Sequence, residues 1–257
     1  MIRGSSYCSY VICGRSIYSD MIARKVRYEL RNIVAQYPAL HIPLVRWKNR
    51  RRDDSGVVDE NTEIVIDGFQ RSANSFAWAA FVLSQKRPVR IAHHVHAPGQ
   101  IILGVKMNIP VVVLIRDPDE VALSAKIYYP MYSLAQILRA YVRFYRRIEP
   151  YKHEFVIADF RSVVSNFGGI IRDINKRFAS DYDIFLHSDD NVRRCFELID
   201  QRWQGAIGNF ETVVARPSQD REDAKRTMRH NLERPKLEKL RAEASLIYRS
   251  FSGQHDN

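Results

Sequence analysis

The sequence predicts an α/β fold: a three-layer sandwich with a central parallel sheet and a helical C-terminal part. Two observations carry the α/β reading. Between residues 62 and 160, short runs of β-formers alternate with helix-length amphipathic segments, the pattern of strands joined by crossover helices. One run, Val111-Val112-Val113-Leu114-Ile115, is apolar at every position, as expected of a strand buried on both faces. A third observation accounts for the rest of the chain, which reads as mostly helix beyond the last strand.

From Ser19 to Gln36 the chain reads as an amphipathic helix. Ile22, Val26, Leu30, Ile33 and Val34 share one face, and Arg24, Lys25, Arg27 and Arg31 lie elsewhere. Trp47 to Gly56 is polar, basic and turn-prone, and is expected to be a solvated surface loop. Glu63 to Asp67 is a short strand, followed by a turn and a helical stretch from Phe76 to Leu83. Val89 to Val95 is the second strand, and Val111 to Ile115 the third. Asp117-Pro118-Asp119-Glu120 then opens a helix, with Asp at the N-cap, Pro at the first helical position and Glu at the third. Ser133 to Ile148 is another amphipathic helix, with Arg139, Arg143, Arg146 and Arg147 along one face. Phe155-Val156-Ile157 is the fourth strand.

The 257 residues have room for one large domain or at most two small ones, and 46% hydrophobic with 27% charged residues is globular composition. No apolar run approaches the roughly 20 residues that cross a bilayer. Tyr10-Val11-Ile12-Cys13 is too short for a secretory core of about 7–15 residues. Three cysteines, Cys8, Cys13 and Cys195, cannot build a disulfide framework. A cytoplasmic protein is the expectation. The net charge of +11 favours anionic partners.

Four features fall at the carboxyl ends of strands or in a later polar loop. Gly68 to Phe76 enters a helix N-terminus, where unpaired N–H groups attract anions. Arg71 adds a guanidinium there, and Ser72, Asn74 and Ser75 add short donors. The second glycine and the lysine of a nucleotide-triphosphate loop are missing. His93-His94-Val95-His96 ends the second strand; period two puts His94 and His96 on one face and His93 on the other. That is poor geometry for a metal, and no metal is expected, whereas histidine suits a general base. Arg116 leaves the third strand, with Ser124 eight residues on. Arg216-Pro217-Ser218-Gln219-Asp220-Arg221, a polar stretch between helices, could clamp a phosphate from a loop.

In this order the features resemble the sulfotransferase family, over about residues 62–180. Gln70-Arg71-Ser72-Ala73-Asn74-Ser75-Phe76 is similar to that family's first phosphate loop, with Gln for the usual Pro and Ala for the usual Gly. His94-Val95-His96-Ala97-Pro98 is similar to its Lys-Thr-His-x-Pro element. Arg116-Asp117-Pro118 with Ser124 matches its Arg-Asn/Asp-Pro…Ser spacing. The resemblance implies a P-loop-like architecture and 3′-phosphoadenosine 5′-phosphosulfate as co-substrate. It implies His96 as catalytic base, with His94 the alternative, and Arg71 at the leaving 5′-phosphate. Ser72, Ala73, Asn74 and Ser75 would help Arg71, Phe76 would stack on adenine, and Arg116 and Ser124 would hold the 3′-phosphate. Ile157-Ala158-Asp159 stands where the family often has Tyr-Glu-Asp. The C-terminal Arg-Lys-Gly loop is absent, and Arg216 is the candidate substitute.

The chain would then be one domain: an N-terminal helix and basic loop (1–61), a nucleotide-binding core (62–180) and a mostly helical acceptor side (181–257). The acceptor would be a small molecule or carbohydrate, with no nucleic-acid partner; oligomeric state is not legible. A P-loop kinase and a non-catalytic basic anion-binding module remain open as alternatives.

Overall fold

Val111–Ile115 is an inner strand of the computed structural model, which describes residues 10–50, 56–203 and 219–253, with backbone alone for 10–21. Four strands, β1 (Ile64–Gly68), β2 (Ile91–His93), β3 (Val111–Ile115) and β4 (Val156–Asp159), form a parallel sheet in the order β2-β1-β3-β4. The chain leaves β1 for β2 on one side and then places β3 on the other. The carboxyl ends of β1 and β3 therefore flank a topological switch point, where such sheets open a crevice for ligands.

The helices described are α1 (Tyr10–Val34), α2 (Pro38–Asn49), α3 (Asn74–Ser84), α4 (Pro98–Lys106), α5 (Pro118–Tyr128), α6 (Leu134–Ile148), α7 (Phe160–Ser165), α8 (Phe167–Phe178), α9 (Asp189–Trp203), α10 (Gln219–Met228) and α11 (Pro235–Ser252). Strand pleating sorts β3 into two cores. Val111, Val113 and Ile115 pack with Ile101, Ile137 and Tyr141 of α4 and α6. Val112 and Leu114 pack with Phe81 of α3 and Ile171 and Ile174 of α8 on the opposite face. That is the expected three-layer α/β arrangement. No helix among the described residues is long and apolar enough to cross a membrane.

Local signals place several helices as expected. The Asp117 carboxylate accepts from the Asp119 and Glu120 amides at 3.0 Å each, starting α5. Ser133 and Gln136 form a reciprocal capping box at the start of α6. The arginines of α6 mostly tie helices together: Arg143 meets Glu29 at 3.3 Å, Arg146 meets Glu243 at 2.7 Å, and Arg147 donates to the Gln36 carbonyl at 3.1 Å.

Two expectations differ. Trp47, Lys48 and Asn49 are the last turn of α2 and not loop, because buried His41 and Ile42 anchor that helix to the core; the basic residues Arg51 and Arg52 lie outside the described residues. The second strand spans only Ile91–His93, because His94 and His96 are left-handed, with φ of +57° and +53°. They therefore do not share a strand face.

Gly68 is required by a close approach. A Cβ there would sit 2.2 Å from the Leu114 carbonyl oxygen of β3, and paired strand backbone cannot move aside. Gly68→Ala is expected to cost about 1–3 kcal/mol, read as a lower denaturant midpoint; an unchanged midpoint would show that the strand pair can open.

Candidate functional site

β1 ends in a turn that swings into α3. Arg71 and Ala73 in that turn are left-handed, with φ of +68° and +66°. Ala73 is the N-cap and offers no side-chain acceptor, so capping leaves the first amides of α3 to a ligand, at the positive end of the helix dipole. Asn74 Nδ2 donates to the Phe69 carbonyl at 3.0 Å and closes the turn. Ser72 is fully buried and does not line the cavity.

The two arginines that the resemblance assigns to different phosphates meet. Arg71 Nε donates to Ser124 Oγ at 3.0 Å, and Arg116 Nη1 donates to the Arg71 carbonyl at 3.2 Å. Arg116 also stacks on Phe160, 3.8 Å from the ring centroid, and reaches Glu120 at 3.5 Å. Arg71 lies over Tyr128 at 5.1 Å. Among the described residues no carboxylate lies within ion-pair distance of Arg71. Burial, with the Arg221 charge nearby, pushes its guanidinium down to about 10, still cationic at neutral pH.

Asp67, at the end of β1 and inaccessible to solvent, organises the histidine loop. Its Oδ2 accepts from the Val95 and His96 amides at 3.1 and 3.0 Å and from Gln100 Nε2 at 3.0 Å, while Oδ1 accepts from the Gly68 amide at 2.9 Å. Those contacts hold the two left-handed residues. His96 Nδ1 lies 2.9 Å from the Gly68 carbonyl and 3.3 Å from Asp67 Oδ1. His94 Nε2 pairs with Ser75 Oγ at 3.1 Å, and its Nδ1 lies 2.7 Å from His93 Nδ1. Among the described residues no group of three or more His, Cys, Asp or Glu side chains is arranged to hold a metal.

These groups open onto one cavity of about 1000 Å³, lined by six cations (Arg31, Arg71, Arg116, Arg202, Arg221 and Lys225) against one carboxylate, Glu222. Ala73, Asn74, Ser75, Phe76, His94, His96 and Ser124 line it too. Phe76 is nearly buried, with the tilted ring of Phe196 at 5.7 Å and Phe185 edge-on at 6.5 Å, and gives the cavity an aromatic wall. Arg216 lies outside the described residues.

Sequence reasoning missed Asp67 and Lys225, and read as loop the start of α10 that carries Arg221. Asp67 carried a signal: a lone carboxylate closing an apolar strand is expensive unless bonded. Arg221 and Lys225 are four residues apart, one face of a helix, and both are buried. Lys225 Nζ meets Glu120 at 3.1 Å and Glu222 at 2.6 Å.

No family model and no curated protein matches the sequence. Among solved structures the chain is similar to mouse sulfotransferase SULT7A1 complexed with PAP, at 13% identity and a TM-score of 0.41, over 76% of this chain and 87% of that one.

Proposed function

We propose that the chain is a sulfotransferase that binds 3′-phosphoadenosine 5′-phosphosulfate in this cavity and passes its sulfuryl group to an acceptor hydroxyl. One observation carries the reading. Arg71, partly buried and without a carboxylate partner among the described residues, sits beside Arg116 and Ser124 at the switch point. Partial withdrawal of a cation from water with no counter-charge is unfavourable, and a bound dianion offsets it. The donor set fits such a nucleotide: first-turn amides of α3, two guanidiniums, a serine and an aromatic wall. The donor supplies an electrophilic sulfur and a phosphate leaving group.

The residues divide the work. Arg116 and Ser124 hold the 3′-phosphate, while Arg71, Asn74, Ser75 and the loop amides neutralise the leaving phosphate. Phe76 faces adenine. His96 is the base. A carbonyl can only accept, so the Gly68 carbonyl fixes the proton on Nδ1 and leaves the Nε2 lone pair to take the acceptor's proton. Asp67 then stabilises the imidazolium that forms. His94 suits this role less, because both of its ring nitrogens are engaged.

Calorimetric titration tests the reading with 3′,5′-adenosine bisphosphate, AMP and ATP, with and without Mg²⁺. The bisphosphate is expected to bind more tightly than AMP. A charged hydrogen bond contributes about 1.5–3 kcal/mol, so Arg116→Ala should weaken the bisphosphate by about 10–150-fold and barely touch AMP. Equal affinity of the unaltered protein for both nucleotides sinks the proposal, and Mg²⁺-dependent ATP binding moves it to a kinase.

A further inference from the structure

α1 and α2 border an apolar groove of about 800 Å³ that shares only Arg31 with the candidate site. Ile22, Val26 and Leu30 recur every four residues along α1 and are 46%, 52% and 56% exposed. On α2, Leu40, Leu44 and Trp47 follow at i, i+4 and i+7 and are 58%, 58% and 67% exposed. Single exposed apolar residues are ordinary, but two adjacent stripes of large ones mark an interaction surface. The charge lining the groove has one sign: Arg27, Arg31 and Lys48, with no carboxylate. Residues 22–50 hold seven cations (Arg24, Lys25, Arg27, Arg31, Arg46, Lys48 and Arg50) and one carboxylate, Glu29, which is bonded to Arg143.

We infer that this face docks the protein onto an anionic lipid surface. The leucine, isoleucine, valine and tryptophan side chains enter the boundary between headgroups and acyl chains, and the rim of cations meets lipid phosphates and carboxylates. Charge complementarity selects this occupant. A second copy would set like charges against each other across the interface. A nucleic acid would satisfy the cations and leave the apolar ridges in water. One partner helix laid in the groove would cover its walls yet leave Leu40 and Trp47, which lie outside it, exposed. A deformable hydrocarbon surface covers both ridges at once. Neither helix is apolar enough to span a bilayer, so both lie in the interface plane.

Sedimentation of the full-length protein with lipid vesicles tests the inference. Partition onto phosphatidylcholine mixed with phosphatidylserine should exceed that onto phosphatidylcholine alone by at least about tenfold, since each basic residue near such a surface contributes about fivefold. High salt should remove that preference. The double variant Leu30→Glu with Leu44→Glu should lose most of the binding while keeping its melting curve and its affinity for 3′,5′-adenosine bisphosphate. A blue shift of tryptophan emission on adding vesicles should vanish in Trp47→Phe. No partition, partition unmoved by the double variant, or a concentration-dependent dimer that the double variant abolishes would each overturn the inference.

Discussion

Replacing His96 with alanine is expected to lower kcat by about 10²–10⁴-fold, the usual contribution of a general base, with donor affinity nearly unchanged. In the proposed mechanism the ring acts through Nε2, since Nδ1 is tied to the Gly68 carbonyl. The loss should therefore appear in turnover and spare the bisphosphate titration. His94→Ala and His93→Ala are the controls. Removing His94 frees Ser75 and should perturb the donor loop modestly without abolishing proton transfer. Near-normal turnover in His96→Ala together with collapse in His94→Ala would transfer the role to His94. Activity in all three variants would place the proton acceptor elsewhere.

Arg71→Ala is expected to lower kcat by about 10²–10³-fold, the cost of removing one fixed donor from charge that develops in the transition state. Donor affinity should fall less, because Arg116, Ser124 and the loop amides remain. Arg71→Lys should recover much of the rate, because a lysine still brings a cation to the same place. The lysine cannot reproduce the Nε bond to Ser124, so recovery should be incomplete. The melting curve of each variant must match the unaltered protein, since loss of fold gives the same loss of rate. Unchanged turnover in a folded Arg71→Ala would remove Arg71 from the reaction.

The parts of this protein that were legible in its sequence are those encoded within a few residues. Five consecutive β-formers give β3, Asp117-Pro118 starts α5, and Ser133 with Gln136 starts α6. Each is a local chemical preference that packing did not override. The turn from Gly68 to Phe76 was legible as the link from the first strand into a helix N-terminus for the same reason. The histidine loop was not. Alternation along a strand gave His94 and His96 a common face, whereas Asp67, nearly thirty residues earlier, draws in the Val95 and His96 amides and the chain turns left-handed. Such a contact leaves no local trace. The same holds for Arg71 and Ser124, 53 positions apart. It holds for α2, whose Pro38 and Pro43 disguise a helix held by its buried side. The polar stretch after Arg216 read as loop, yet from Gln219 it is helix, and it brings Arg221 and Lys225 to the cavity.

The left-handed residues have an evolutionary consequence. Six non-glycine residues among those described have positive φ, and four of them, Arg71, Ala73, His94 and His96, line the one cavity. Each costs roughly 1–2 kcal/mol relative to ordinary backbone, a large draw on a domain whose net stability is about 5–15 kcal/mol. A lineage adapting to heat could relieve that strain by putting glycine at such positions, less the extra chain entropy glycine loses on folding. At Arg71, His94 and His96 that relief would remove a guanidinium or an imidazole. Only Ala73 contributes nothing but a methyl group. Relief without loss of a functional group is open to such a lineage at that residue, which is also where the sulfotransferase loop it resembles carries glycine.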